Sequence, residues 1–270
     1  MKKKIAIYTL LITASLTFLY PFFWMIVTSL SPEKEIGGLV ALPTQFTWDN
    51  YIQMFSKIPI GRAFFNSIFT ALMTTSGVIL FCSMVGYALA KMNFRGRNLI
   101  FYVIIFTMTL PFQITLIPNY ITMVKLNLVD TYAALVIPFL LNSFAILMFR
   151  QAFKTIPDAL IDAARVDGCS EPRIIFQILF PNIVPTIVTV GILTFMNSWN
   201  EVLWPLIVIR NEDMMTMPQM VTLFSVGGRA EAQIGVKLAA AVVLALPIMI
   251  AYSFFQKYFI QSMASSGVKE

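Results

Sequence analysis

The sequence predicts an all-α integral membrane protein with six transmembrane helices and a helical elbow between the fourth and fifth of them. Of the 270 residues, 58% are hydrophobic and 12% are charged, and the mean hydropathy is +0.79. A soluble core cannot absorb this much apolar surface. Apolar runs of about 20 residues, the length that crosses a bilayer, recur along the chain. One short polar segment with helical spacing interrupts them.

The apolar runs predict one membrane domain over residues 1–270. The predicted spans are residues 5–30, 65–90, 99–124, 132–149, 183–209 and 238–259. The first run follows three lysines but is too long for a signal peptide, so we expect it to remain as a span. In the third run, Pro111 and Pro118 each remove a backbone hydrogen bond and should bend or break the helix.

Lysine and arginine residues indicate the orientation, because they are enriched in cytoplasmic loops. They cluster at residues 2–4, 91–97 and 150–173, which all fall on one side of the predicted spans. Both termini and the elbow are therefore predicted to be cytoplasmic. The net charge of +6 mostly reflects this asymmetry and gives no reason to expect nucleic-acid binding.

The elbow, residues 155–181, is predicted to form two helices that meet at a glycine. Thr155 and Asp158 have the spacing of a capping box, and Gly168 is suited to end the first helix. Ser170 can cap a second helix that runs toward Pro181. Leu160, Ala163, Ala164 and Asp167 recur at helical spacing, and the small alanines would let another protein approach the backbone closely.

This segment resembles the EAA motif of inner-membrane permeases of binding-protein-dependent ABC importers. The matching positions are Asp162, Ala163, Ala164, Gly168, Ile178 and Pro181. Asp162 replaces the usual Glu and Phe180 replaces the usual Leu, and both replacements keep the charge or the apolar character. The resemblance implies that the elbow is a cytoplasmic coupling helix inserted in a cleft on a separate ATPase subunit. The residues it assigns to this coupling are Asp162, Ala163, Ala164, Asp167, Gly168, Ile178 and Pro181.

The family also implies an assembly in a bacterial or archaeal inner membrane. Its members pair with a homologous second permease, two ATPase subunits and an extracellular solute-binding protein. The resemblance implies no cofactor in this chain, because ATP and Mg²⁺ would be bound by the partner ATPase.

A second polar cluster, residues 197–201, lies inside the fifth predicted span. Asn197 and Glu201 are four residues apart on one helical face, and such groups are costly in a membrane unless they face a cavity or a partner. The candidate substrate-path residues are Asn142, Asn197, Trp199, Asn200 and Glu201. Hydrogen bonding between helices is an equally open interpretation. The string SWNEVLWPLIVI resembles the carbohydrate branch of these permeases, which implies a sugar or oligosaccharide as solute.

The residues that the chain lacks exclude several other function classes. It contains no histidine, which excludes a Ser-His dyad and a HExxH metal site. It has no GxxxxGK[ST] phosphate loop, so ATP hydrolysis would have to be carried by another chain. We therefore predict no catalytic residue and no metal site. An ion-coupled secondary transporter, or a permease for a non-sugar solute such as glycerol phosphate, remains the alternative.

Overall fold

A computed structural model describes residues 2–37, 42–226 and 233–267 of the chain. These residues form helices and include no strand, which confirms the predicted all-α class. They divide into two compact units: residues 1–63 with 217–249, and residues 64–216 with 250–270.

The described helices follow one another along the chain. They are α1 (Lys2–Ser29), α2 (Asp49–Lys57), α3 (Ile60–Lys91), α4 (Arg97–Thr107), α5 (Phe112–Lys125), α6 (Tyr132–Val136), α7 (Ser143–Lys154), α8 (Asp158–Val166), α9 (Glu171–Arg173), α10 (Val184–Asn200), α11 (Leu203–Val208), α12 (Met217–Val226) and α13 (Ile234–Gly267).

In the first unit, the segment after α1 is fastened by hydrogen bonds to the start of α13 and to α2. The Asn50 amide donates to the carbonyl oxygens of Ser29 at 3.0 Å and Ser31 at 2.8 Å. The Glu33 carboxylate accepts from the backbone N–H groups of Ile234 at 2.6 Å and Gly235 at 2.9 Å. Glu33 thus satisfies two N–H groups that the first turn of a helix leaves unpaired.

Three described helical stretches are long and apolar enough to cross a membrane as single helices. They are residues Lys3–Ser29, Ile60–Lys91 and Glu171–Asn200, and two bent helix pairs raise the number of candidate spans to five. The sixth predicted span, residues 238–259, lies within the helix α13. The six-span topology therefore remains a prediction.

The predicted third and fourth spans are both broken in the structure. The helices α4 and α5 meet at an angle of 103°, and the stretches Tyr132–Phe139 and Ser143–Lys154 meet at 49°. Pro111 is the residue before α5, so its missing N–H accounts for the first break. Pro118 lies inside α5 without breaking it. In the fourth span, the Asn142 side chain accepts from the Ala145 N–H at 2.9 Å and starts a new helix.

The core of the second unit forms where α3, α7, the elbow and the start of α10 pack together. Its buried members include Tyr87, Phe149, Phe153, Ile161 and Leu179. α3 and α7 approach closely at Gly86, where an added Cβ would lie 2.7 Å from the Phe149 Cβ. The elbow is therefore part of this core rather than a detached loop.

Candidate functional site

The first helix of the elbow ends in a left-handed glycine, as predicted. Gly168 has φ +75°, which favours glycine over any residue with a Cβ. The Cys169 N–H donates to the Ala164 carbonyl and the Gly168 N–H donates to the Arg165 carbonyl, each at 3.0 Å. These two bonds form a Schellman motif, which satisfies carbonyls that the end of α8 would otherwise leave unpaired.

The predicted capping box at the start of α8 is wrong. The helix begins at Asp158 after Pro157, and no side chain caps it. The Thr155 hydroxyl instead donates to the Ala152 carbonyl at 2.8 Å, inside the last turn of α7. Because α7 continues to Lys154, Thr155 belongs to its C-terminal end and cannot adopt the extended backbone of an N-cap. Ser170 precedes α9 with an extended backbone, but its side chain makes no capping bond.

The helix α8 has one buried face and one exposed face. Ile161 and Ala164 are buried in the core, whereas Leu160, Ala163 and Asp167 are exposed. Ala164 therefore does not share the outward face predicted for it. Asp162 is also exposed, and Val166 is 88% exposed, although a valine side chain gains free energy from burial. On the exposed side, Leu160, Ala163 and Val166 form an apolar strip, and the carboxylates of Asp162 and Asp167 border it.

The second helix of the elbow continues into the fifth predicted span without leaving the helical path. α9 passes into a π-helical turn, Ile174–Leu179, a 3-10 turn, Phe180–Ile183, and then α10. Pro181 has no N–H to donate to the preceding turn, which accounts for the irregular turns around it. Ile178 is half-buried and Pro181 is exposed. The second helix of the elbow is therefore continuous with α10.

A group of polar contacts fastens the elbow to the end of α3. The Tyr87 hydroxyl donates to Glu171 Oε2 and accepts from Arg165 Nη2 at 3.3 Å. Arg165 Nε donates to Glu171 Oε1 at 3.0 Å, and this bond raises the pKa of Arg165. Next to this group, Lys91 Nζ lies 2.5 Å from both the Ile156 carbonyl oxygen and Asp158 Oδ1. We call Tyr87, Arg165 and Glu171 the brace.

A cavity of about 430 Å³ lies in the second unit. This volume is within the range of small-molecule sites. One part of its lining is aromatic: Phe112, Phe139 and Trp204 contact one another with ring centroids 5.7 to 6.3 Å apart. The polar lining residues are Thr70, Thr74, Gln113, Asn142, Thr194, Asn197, Ser198, Glu201 and Thr216.

Three helix breaks meet at the cavity. Gln113 and Phe112 start α5 beyond the Pro111 break, and Asn142 lies at the break before α7. Glu201 lies between α10 and α11, where Pro205 prevents the helix from continuing because its ring would clash with the Glu201 carbonyl. Membrane helices tolerate such breaks where the freed backbone is buried in protein or faces a water-filled space.

The cavity has an acidic and hydroxyl-rich character. Glu201 is the ionisable group among the described residues that line it. Its Oε1 accepts from the Trp204 N–H at 3.0 Å, which holds the carboxylate in place at the start of α11. Thr70, Thr74 and Thr216 line the cavity, and their buried hydroxyls have no hydrogen-bond partner within the described part of the chain. Each unpaired buried hydroxyl costs about 1–3 kcal/mol.

The structure brings together three of the five predicted substrate-path residues. Asn142, Asn197 and Glu201 line the cavity, although they come from two different spans. Trp199 is fully buried against the rings of Phe64 and Phe195 and lies outside the lining. Asn200 is exposed, and its amide donates to the Met196 carbonyl at 2.9 Å.

Sequence reasoning missed the threonine side of the cavity. Thr70 and Thr74 are four residues apart on α3 and therefore share a helical face. This i, i+4 pair of hydroxyls in an apolar helix was the available signal. Thr216 belongs to no such pattern. It lies in the loop before α12, and only the folded structure brings this loop to the cavity.

Comparisons with known proteins give consistent results. Residues 82–265 match the family described as the binding-protein-dependent transport system inner membrane component. The chain is 38% identical over 256 residues to the arabinooligosaccharides transport system permease protein AraQ of Halalkalibacterium halodurans. The match covers 93% of this chain and 91% of that protein. It is 31% identical to the lactose transport system permease protein LacG of Rhizobium radiobacter, over 96% and 94% of the two chains.

A solved structure extends the likeness to the fold. The crystal structure of a bacterial ABC transporter involved in the import of the acidic polysaccharide alginate contains a similar chain. The TM-score is 0.81, the identity is 26%, and the match covers 95% of this chain and 96% of that one. The helices are apolar, and the relatives are transport permeases rather than enzymes, so the chain is a multi-pass membrane transport subunit and not an enzyme. It belongs to the family of inner-membrane components of binding-protein-dependent transport systems.

Proposed function

We propose that this chain is the permease subunit of an ATP-driven importer, lines half of the translocation path for a sugar or oligosaccharide, and couples through its elbow to a separate ATPase. A homologous second permease would supply the other half. Two ATPase subunits would bind ATP and Mg²⁺, and an extracellular solute-binding protein would deliver the solute. Both termini and the elbow would lie in the cytoplasm of a bacterial or archaeal cell.

The outward face of α8 supports the coupling role and is the observation on which the proposal depends. Leu160, Ala163 and Val166 form an apolar strip that is exposed within the described part of the chain. Asp162 and Asp167 border the strip and would select basic side chains on a partner. The core holds the opposite face of the helix through Ile161 and Ala164, so the exposed strip is presented in a fixed orientation.

The chemistry of the cavity supports a neutral, hydroxylated solute. Unpaired threonine hydroxyls and the Asn142 and Asn197 amides can exchange hydrogen bonds with sugar hydroxyls. The rings of Phe112 and Trp204 offer apolar surface to the C–H faces of a sugar. These two kinds of lining are what binding a sugar requires.

The same lining disfavours an anionic solute such as glycerol phosphate. Anion sites use Arg or Lys side chains, and the described lining of this cavity carries the Glu201 carboxylate instead. An ion-coupled secondary transporter is also disfavoured, because the family is defined by dependence on a binding protein. It would in addition leave the exposed strip of α8 without a role.

The coupling proposal is tested by site-directed cross-linking from the exposed strip. Ala163→Cys, in a chain whose two native cysteines are replaced by serine, is expected to cross-link to an ATPase subunit in membranes. Ala164→Cys is the matched control, because the neighbouring side chain is buried and should not react. Absence of any ATPase adduct at Ala163→Cys in cells that are accumulating solute would refute the coupling role.

The solute is tested separately, by uptake into cells that express the complete transporter. Arabinooligosaccharides and lactose are the first probes, because relatives are named for them. Glycerol 3-phosphate is the anionic comparison. Faster uptake of the phosphate ester than of both sugars would contradict the inference from the cavity lining and leave the coupling role intact.

A further inference from the structure

The Tyr87 hydroxyl touches both helices of the elbow at once. It accepts from Arg165, in the last turn of α8, and donates to Glu171, in the first turn of α9. The two helices lie on opposite sides of the Gly168 corner. The hydroxyl therefore fixes the angle of the elbow relative to α3, which a contact with either helix alone would not do.

Tyr87 is itself held rigidly. Its side chain is 1% exposed, and its ring packs edge-on against Phe153 with the centroids 5.9 Å apart. One turn further along α3, Lys91 binds the Ile156 carbonyl and the Asp158 carboxylate at the start of α8, and the Lys91 side chain is 6% exposed. Both ends of α8 are thus attached to the end of α3.

The helix α3 connects these attachments to the cavity without a break. It runs from Ile60 to Lys91, and Thr74 lines the cavity while Tyr87 binds the elbow. Tyr87 follows Thr74 by 13 positions, which places the two residues about 20 Å apart along the axis, at 1.5 Å per residue. The other helices that line the cavity are interrupted at it, so α3 is the rigid member of the wall.

We infer that Tyr87 is a positioning residue that transmits displacement of the elbow to the cavity wall through α3. The inference rests on the proposed coupling of the elbow to an ATPase. The exposed strip of α8 would receive the motion of the ATPase, and the Tyr87 hydroxyl would make α3 follow it. Loss of the hydroxyl would leave the Arg165–Glu171 pair and the Lys91 contacts intact but would release the Gly168 corner of the elbow from α3.

The test measures the cavity rather than transport, so it needs no knowledge of the solute. The full transporter carries Leu203→Cys as a reporter, with both native cysteines replaced by serine; Leu203 lines the cavity and is exposed. The measured quantity is the rate of reaction with N-ethylmaleimide, without nucleotide and after trapping with ATP and vanadate. The ratio of the two rates reports how strongly the ATPase state changes the cavity.

Tyr87→Phe removes the hydroxyl and keeps the ring. We expect it to leave the rate without nucleotide unchanged and to reduce the response to trapping roughly tenfold, the effect of one hydrogen bond to a charged group on an equilibrium. Tyr120→Phe is the matched control, because its hydroxyl also accepts from an arginine, Arg210 at 3.3 Å, but lies outside the brace and the cavity lining. It should retain the full response.

The outcomes separate the inference from the function on which it rests. If ATPase subunits do not copurify with the reporter chain, the proposed function fails. If they copurify and Tyr87→Phe responds as the parent does, or if trapping leaves the parent unchanged, the role of Tyr87 is refuted. Should Tyr87→Phe not assemble, Glu171→Gln weakens the same contact at similar size, and a parental response there equally overturns the inference.

Discussion

Replacing Gly168 with valine is expected to uncouple ATP hydrolysis from solute uptake. Gly168 has φ +75°, and a Cβ added at this position would meet no atom of the described residues within 4 Å. The cost of the substitution therefore comes from the backbone alone. A left-handed conformation costs a residue with a Cβ about 1–2 kcal/mol, and a β-branched side chain is among the least tolerant.

The strain at Gly168 can be relieved only by changing the corner of the elbow. A φ that suits valine would break the Schellman bonds from Gly168 to Arg165 and from Cys169 to Ala164. The angle between α8 and α9 would then change, and Glu171 would move away from its partners in the brace. Since α8 keeps its buried anchor Ile161, insertion into the membrane and folding of the core should survive.

Gly96 provides a matched control for the backbone penalty. It has φ +86°, and a Cβ there would also meet nothing within 4 Å in the part of the chain that the structure describes, but it lies before α4 and outside the elbow. Gly96→Val and Gly168→Val should therefore lower the thermal stability of the complex by similar amounts. Gly168→Asn should behave almost like the parent, because asparagine tolerates the left-handed region.

The assay compares solute transported with ATP hydrolysed in proteoliposomes that contain the purified complex. We expect Gly168→Val to hydrolyse ATP with little transport, and Gly96→Val and Gly168→Asn to keep the parental ratio. A parental ratio for Gly168→Val would refute the reasoning that the corner geometry matters for coupling. Equal loss in both valine variants would point to general instability instead.

Three further predictions test the cavity, the topology and the loop between α5 and α6. Glu201→Ala should reduce uptake roughly tenfold by removing a charged hydrogen-bonding group, and unchanged affinity and rate would favour a structural role for Glu201. Asn93→Cys and Ser170→Cys should react with an impermeant maleimide only from the cytoplasm, and labelling from outside would overturn the topology. The backbone N–H groups of Arg210 and Asn211 donate to the Asp130 carboxylate and lower its pKa. Asp130 should therefore stabilise the fold at pH values above its unfolded pKa. This stabilisation should be lost as the pH falls through the folded pKa. An Asp130→Asn variant with the same acid unfolding profile as the parent would contradict that assignment.

Local signals in the sequence predicted the local features of the fold. Hydropathy located the long helices, Pro111 marked a break, and Gly168 marked the corner of the elbow, because each depends on a few neighbouring residues. Spacing alone misassigned Thr155, since the capping pattern cannot show that the preceding helix α7 extends to Lys154. Spacing also could not show that Ala164 turns inward, because the burial of a helical face depends on what packs against it.

The cavity could be predicted only in part, for a physical reason. Asn197 and Glu201 stood out because polar groups in an apolar helix are costly. Trp199 was grouped with them because it is close in sequence. It lies two residues from each of them, however, and side chains two residues apart do not share a helical face. The Trp199 ring instead packs against Phe64. The threonines of α3 gave a weaker signal, because a threonine hydroxyl in a helix normally bonds to a carbonyl of the preceding turn. Thr70 and Thr74 lack such a bond, and only the structure reveals it.

The arrangement of broken and unbroken helices connects the cavity to the elbow. Breaks at Pro111, Asn142 and Glu201 meet at one cavity although they lie in three different predicted spans. Each break frees backbone groups that hydrocarbon would not tolerate, so their convergence favours a polar path at this place. α3 passes the same cavity as one uninterrupted helix and ends on the elbow at Tyr87 and Lys91. A wall of short segments beside one rigid helix can change shape when that helix is displaced, because the breaks absorb changes in backbone angle that a continuous helix cannot.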